Sequence, residues 1–384
     1  MNPFHHSLLV IVLLGLCPAA TAADRSIASA VEAIHAVGPE GLGNETAAQA
    51  WRSLAARPAP QITSILSAMD GANHLAANWF AAAVETIADR AASSDQPLPL
   101  ADLGAFLFET SHAPQARVLA FDLIARTDAN AAESLIPGLL NDPSVVLRRK
   151  AVANLLSQAD ALNSADRKDA ALHLYRQGLG FARDVDQIQH LTEQLTQHGQ
   201  SVDLPRHFGF LMNWQVIGPF HNIDRAGFNE AFPPEFGFDA GAVYKGKLGE
   251  VRWQPLSTSD PYGVVDINKP LDPLKEVTAY AYTEFLANFP RPAELRLACK
   301  NAWKIWFNGE LLFGRDEYHR GKQIDQYSLP IRLHEGVNTI LVKVCQNEQT
   351  EEWTREWDFQ LRVCDATGTA ILSTDRPHST FNSP

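Results

Sequence analysis

The sequence predicts a multi-domain α + β protein, an N-terminal α-solenoid followed by a C-terminal jelly-roll β-sandwich. Three observations carry that expectation. Residues 24 to about 200 are rich in Ala and Leu and contain no convincing strand. Within them three segments look alike at a spacing of roughly 30 to 40 residues, the range in which helix pairs stack into solenoids. Beyond about residue 200 the helical period disappears, and short alternating runs take over that hold six of the eight tryptophans.

Residues 1–22 read as an export signal. The apolar run SLLVIVLLGLC is followed by PAATAAD, with small residues at Ala20 and Ala22 flanking Thr21. The leader MNPFHH lacks Lys and Arg, and the apolar run is too short to span a bilayer comfortably. A lipid anchor would use Cys17, but Leu16 before it is bulkier than such sites usually tolerate. No later segment has the length and apolarity of a membrane helix, so the expected location is secreted or periplasmic, with no membrane span.

Residues 23–200 form the expected helical domain. The look-alike segments are HLAANWFAAAVETIADR from 74, PQARVLAFDLIARTDA from 114 and DPSVVLRRKAVANLLSQAD from 142. In the third, Asp142 can cap a helix, and Pro143 suits the first helical position because its missing N–H needs no partner. Val145, Leu147, Ala151, Val152, Leu155 and Leu156 then make one broad apolar arc. The run DPSVVLRRKAVANLL resembles the second helix of a HEAT repeat. That resemblance implies helix pairs stacked into an extended surface suited to protein contact. Two more helices are expected in ADRKDAALHLYRQGLGFA and DVDQIQHLTEQLTQ, the last stopped by Gly199.

The segment GQSVDLPRHFGF links this domain to a β-sandwich over residues 201–374, and residues 375–384 read as a loose tail. Expected strands include NWQVIG, EVRWQPL, TAYAYTEF, AELRLAC, AWKIWFN, ELLFG, SLPIRL, NTILVKV and DFQLRV. Asn308-Gly309 is a two-residue hairpin signal, because a type I′ turn needs positive φ at both positions. On the strand before it, Trp303, Ile305 and Phe307 share one face, and Lys304, Trp306 and Asn308 share the other. Trp306 is therefore either a stacking platform or a residue covered by the helical domain or by the segment 221–275. That segment itself holds Phe236, Phe238 and Trp253. Lys304 and Lys343 occupy equivalent outer positions and would border either arrangement. Cys299 is in phase with Leu295 and Leu297 and reads as a core thiol. Cys345 and Cys364 fall out of phase with their strands. If those strands are hairpin neighbours, the pair could form a cross-strand disulfide in an oxidising compartment; otherwise both thiols are unpaired.

The runs AELRLACKNAWKIWFNGELLF, YHRGKQIDQYSLPIRLHEGVNTILVKV and WDFQLRVCDATG resemble a galactose-binding-like β-sandwich. In that superfamily an Asn-Gly turn is followed by a loop, a strand and a G-x-N-x-I/L strand. NWQVIGPFHNIDRAGFNEAFPPE is similar to the entry segment of such domains in large secreted proteins of the planctomycete type. The resemblance implies a carbohydrate-binding module or an accessory domain beside glycoside hydrolases. Members often carry a structural calcium, whose ligands the sequence does not assign; no other cofactor is expected.

The chain carries 32 basic against 44 acidic residues, a net charge of −12. That balance argues against a nucleic-acid or anionic-membrane partner, which would need a basic footprint. There is no HExxH, paired CxxC, GxSxG or P-loop, and no GxGxxG follows a strand. No metal site and no catalytic residue are assigned. The densest polar group is FGRDEYHRGKQID, residues 313 to 325, which brings together Tyr318, His319, Arg320, Lys322 and Asp325. Arg and Asp there suit directional hydrogen bonds to sugar hydroxyls while an aromatic covers the ring face. The competing reading is a solvated loop whose Arg–Asp pair holds its own ends. Candidate ligand-binding residues are thus Trp306, Asn308, Tyr318, His319, Arg320, Asp325 and Lys343. The expected function is that of a non-catalytic secreted binding protein whose sandwich recognises a carbohydrate or protein partner. The alternative is an accessory or catalytic component of polysaccharide degradation.

Overall fold

A computed structural model describes residues 22–94 and 96–376, so the export segment through Thr21, Cys17 and the end of the tail lie outside the described residues. The chain is mixed α + β, with helices in front and antiparallel sheets behind. It divides into two compact units at Leu147–Arg148. Among the described residues no helix is long and apolar enough to cross a membrane.

The first unit holds α1 (Ala22–His35), α2 (Asn44–Ala55), α3 (Ile62–Ser67), α4 (His74–Ser93), α5 (Leu100–Phe108), α6 (Pro114–Thr127) and α7 (Ala129–Leu135). Neighbours in sequence pack on one another, α1 on α2, α3 on α4 and α5 on α6. The buried faces are built from Ala47, Leu54, Ile62, Leu66, Phe80, Val84, Ile87, Leu103 and Leu123. Asn73 caps α4 by accepting from the backbone N–H groups of Leu75 and Ala76, both at 3.0 Å. Its own amide donates to the Val37 carbonyl at 2.8 Å, which ties that cap to the end of α1.

The third look-alike segment forms α8 (Val145–Ser164), which begins two residues later than Pro143 would place it. Asp142 serves the helix entry and a buried cation at once: its Oδ1 accepts from the Ser144 N–H at 2.7 Å. Arg117, fully buried on α6, donates Nη1 to Asp142 Oδ1 at 3.0 Å and Nη2 to Oδ2, and gives Nε to the Leu107 carbonyl at 2.7 Å. Ser144 Oγ also accepts, from the Leu147 N–H at 3.5 Å. Leu147, Ala151 and Val152 of the apolar arc are buried, whereas Val145 is exposed.

The second unit joins the rest of α8 with α9 (Lys168–Phe181), α10 (Val185–Gln197), α11 (Leu204–Phe208) and all the strands. The change in composition near residue 200 and the division between units therefore do not coincide. Cationic side chains on or beside these helices reach the turn at 365–369. Arg148 donates to the Thr367 carbonyl at 2.6 Å, and Arg183 donates to Thr369 Oγ1 at 3.0 Å.

The strands are β1 (Asn213–His221), β2 (Val243–Gly246), β3 (Gly249–Arg252), β4 (Gln254–Ser257), β5 (Val265–Asp266), β6 (Val277–Ala287), β7 (Arg291–Cys299), β8 (Ala302–Phe307), β9 (Glu310–Arg315), β10 (Tyr327–Leu333), β11 (Gly336–Gln346) and β12 (Asp358–Cys364). They make a six-stranded sheet ordered β4-β1-β6-β11-β8-β9, a four-stranded sheet ordered β10-β7-β12-β5 and a small β2-β3 ribbon. Every pairing is antiparallel. Alternate residues from the two large sheets enclose one core. Trp303, Ile305, Ile340, Val342 and Val344 come from the first; Leu295, Leu297, Phe359, Leu361 and Val363 come from the second. Asn308 and Gly309 turn β8 into β9 with φ of 50° and 83°.

The outer face of the six-stranded sheet is also covered. Residues 228–253 return over it, so Ile217, Phe220, Tyr280, Tyr282 and Trp306 pack against Phe232, Val251 and Trp253. This layer explains two corrections. Trp306 is only 7% exposed and offers no stacking platform. Lys343 is fully buried, and its ammonium donates to the Phe228 and Glu230 carbonyls (3.2 and 2.6 Å) and to Glu235 Oε1 (2.8 Å). The disulfide is likewise corrected. Cys345 and Cys364 are free and buried, on β11 and β12 of different sheets, so they are not hairpin neighbours.

Candidate functional site

The polar loop between β9 and β10 divides between two environments. In its first half Tyr318 packs against Phe228, Ala302 and Cys345 on the outer side of the six-stranded sheet, and His319 meets Asn347 and Trp353. Its last residue in the group, Asp325, turns inward with φ of 62° and is held by Arg362 and Arg296. Burial pushes the Asp325 carboxyl up, but those two guanidinium groups hold it below the usual carboxylate range. Asp325 thus pins the loop and is not free for a ligand. Arg320 faces solvent beside Glu317, 3.4 Å away, and does not pair with Asp325. Asn308 is also occupied. Its carbonyl accepts from the Thr339 N–H at 2.8 Å and its amide donates to Asn338 Oδ1 at 3.1 Å, fastening the hairpin to β11.

Around Tyr318 and His319 the structure gathers residues from three further segments. The Tyr318 hydroxyl accepts from Asn222 Nδ2 at 3.0 Å, and the Arg225 guanidinium lies 5.2 Å from its ring centre. Arg225 in turn makes a two-pronged contact with Glu348, its Nε 3.2 Å from Oε2 and its Nη2 2.5 Å from Oε1. The His319 ring pairs through Nε2 with Asn347 Oδ1 at 2.8 Å and meets Trp353 edge to face, with centres 5.3 Å apart. Trp353 is 56% exposed. The patch therefore offers an indole, an imidazole, a guanidinium and a carboxylate on neighbouring surface positions.

Electrostatics favour a neutral imidazole. Burial lowers the His319 pKa, the Asn347 contact opposes this, and Lys275, Lys300 and Arg225 lower it further. The hydrogen bond from Arg225 lowers the Glu348 pKa and keeps that carboxylate ionised. Burial raises the pKa of the Tyr318 hydroxyl, which stays protonated and neutral.

Beneath the patch lies a network of buried amides. Asn222 also donates to the Gln346 carbonyl at 2.9 Å, Asn301 donates to Gln346 Oε1 at 3.1 Å, and Gln346 Nε2 reaches the Thr354 carbonyl at 3.0 Å. Lys275 gives its ammonium to that same carbonyl at 2.8 Å. The amide donors of this network are paired, whereas Asn222 Oδ1 and Asn301 Oδ1 are buried without a hydrogen-bond partner among the described residues, so the restraint comes from the donated bonds. The loop bearing Trp353 is thus anchored from below while its indole stays in water.

Sequence reasoning reached Tyr318 and His319 but missed Trp353, Arg225, Asn347 and Glu348. The signal for Trp353 was present in NEQTEEWTREW, residues 347–357, where a large aromatic interrupts a strongly polar run. Arg225 and Glu348 carry no such mark, since their meeting depends on a contact across 123 positions. Among the described residues no group of three or more His, Cys, Asp or Glu could hold a metal ion.

No protein-family model and no curated protein matches this chain. Solved structures give partial likenesses. A β-glucosidase from Kluyveromyces marxianus in complex with glucose is 13% identical over 23% of this chain and 11% of its own, with a TM-score of 0.19. A GH31 α-xylosidase from Xanthomonas citri is 9% identical over 41% and 16%, at 0.17. The alkylpurine DNA glycosylase AlkC of Pseudomonas fluorescens, bound to DNA containing an abasic-site analogue, is 11% identical over 90% and 95%, at 0.23. The chain thus spans well under a fifth of either glycosidase, and TM-scores this low do not establish a shared fold.

Proposed function

We propose that this is an exported, non-catalytic binding protein whose sheet-bearing unit recognises a carbohydrate at the Trp353–His319 patch. In this reading the two large sheets are a galactose-binding-like jelly roll, and the helices in front are a HEAT-like solenoid that serves as an interaction scaffold. The observation that carries it is Trp353, more than half exposed on a loop fastened by buried amides. An exposed indole on a rigid loop suits the apolar face of a sugar ring, and neighbouring planar polar groups suit its hydroxyls. Glu348 and Arg225 supply an acceptor and donors at fixed positions, and His319 supplies a neutral ring nitrogen.

A glycan-array screen of the full chain tests this. Retention of at least one glycan is expected, with affinity reduced at least about fivefold by Trp353→Ala, given about 1 kcal/mol for an aromatic contact beyond the area it covers. Trp306→Phe, inside the covered layer, should leave affinity unchanged. Failure to retain any glycan, or retention indifferent to Trp353→Ala, would refute the proposal.

A further inference from the structure

Lys343 and Glu235 form a buried pair that the Trp353 patch does not use. The Lys343 side chain is fully enclosed, and that of Glu235 is only 12% exposed. Their surroundings are aromatic. The ammonium lies 5.3 Å from the Phe232 ring centre and 5.6 Å from that of Tyr280. Lys343 Nζ is 2.8 Å from Glu235 Oε1, and the Tyr280 hydroxyl donates to that same oxygen at 2.5 Å. Three conditions for joining an amine to a carboxyl group therefore coincide. The nucleophile touches its target, water is largely shut out, and a fixed donor sits on the oxygen that gains charge when the carboxyl carbon is attacked.

Protonation leans the same way. Burial lowers the Lys343 pKa, the Glu235 contact opposes this, and the Lys304 cation lowers it further. Desolvation in an apolar pocket is one of the ways in which a lysine lone pair is freed for attack. Burial and the bond to Glu235 raise the Tyr280 pKa, so its hydroxyl keeps its proton and remains a donor.

We propose that Lys343 and Glu235 condense into an isopeptide cross-link that fastens the covering segment 228–253 to β11. One proton of the ammonium passes to Glu235 Oε2, which leaves a neutral amine against a protonated carboxyl group. Nζ attacks Cδ and forms the C–N bond, while the charge developing on Oε1 is held by the Tyr280 hydroxyl. The Cδ–Oε2 bond then breaks, and Oε2 leaves as water with a second proton from Nζ. Nothing is oxidised or reduced, and no co-reactant is consumed. The product keeps its partners. Oε1 still accepts from Tyr280, and the remaining N–H donates to the Glu230 carbonyl, now 2.6 Å from Nζ. The bond closes a loop across 108 positions in a chain whose described cysteines are all free.

Intact-mass spectrometry of the purified full chain under denaturing conditions tests this. The chain should weigh about 18 Da less than its sequence requires, the mass of one water. Proteolytic digestion should release a branched peptide that joins Glu235 to Lys343. Lys343→Met and Glu235→Leu should each weigh what their sequences require and give no branched peptide. The branched peptide identifies the linked residues directly in the wild type, so the result stands whether or not the variants fold. A wild type of full sequence mass, a branched peptide joining other residues, or a mass deficit that persists in Lys343→Met would each overturn the proposal.

Discussion

Arg362→Ala should destabilise the sheet-bearing unit by about 3 to 5 kcal/mol, the range found when one partner of a buried ion pair is removed. Arg362 is 1% exposed, and each of its three nitrogens is engaged. Nε donates to Asp325 Oδ1 at 2.6 Å, Nη2 donates to Oδ2, and Nη1 donates to the carbonyls of Phe208 and Gly368 at 3.0 and 3.1 Å. Alanine leaves both carbonyls without that donor and leaves Asp325 with Arg296 alone. It also frees the polar loop that Asp325 anchors. Urea unfolding gives the measurement, read as a shift in midpoint at constant slope. The double change Arg362→Met with Asp325→Leu should recover much of the loss, since a well-packed apolar pair can replace a buried ionic one. A single-variant loss below about 1 kcal/mol would show that the ion pair contributes no more than a surface contact.

Stability should fall in acid in two stages, and His207 sets the first. Burial lowers its pKa to about 4, and the nearby Arg183 and Arg362 cations press in the same direction. The Ala182 carbonyl, 3.2 Å from Nε2, opposes them weakly. The unfolded chain takes up this proton near pH 6.5, whereas the folded chain waits until about pH 4. Across that window the unfolded state binds more protons, so stability drops as pH falls. The expected loss is roughly 2 kcal/mol, after allowing for the partial exposure of the ring. Asp325 sets the second stage. Its folded pKa is depressed, so its stabilisation is intact above the unfolded value of about 3.9 and is lost as pH falls further. Urea midpoints from neutral to acid pH should show both limbs in the wild type. His207→Gln should flatten the upper limb and spare the lower. An unaltered upper limb would assign the titration to another group.

The core of the sheet-bearing unit was legible because one face of each strand is buried against the opposing sheet. Trp303 with Ile305, Val342 with Val344, and Leu361 with Val363 all recur at period two. The turn at Asn308-Gly309 was legible for an equally local reason, the steric demand of positive φ. What alternation cannot report is the fate of the other face. Trp306 and Lys343 sit out of phase with the core and still end in a second buried layer, because residues 228–253, roughly 50 to 115 positions earlier, fold back onto them. β6 gives the clue in retrospect, since its first six residues are all buried and it reads as a strand covered on both sides. The patch at Trp353 was hard to find for a related reason. It lies on a loop with no period, and three of its polar members meet only through tertiary contacts. The cysteine pairing failed on topology, because a sequence shows a strand's phase but not the sheet it joins.

The placement of Arg148, Arg183 and His207 decides where this chain can be divided. These residues lie on or beside α8 to α11, yet their partners and charged neighbours include the 365–369 turn and Arg362. A fragment that begins at the compositional seam would leave the Thr367 carbonyl and Thr369 hydroxyl without those donors. The strands and the helices just before them are thus joined by side-chain bonds that a cut near residue 200 would break.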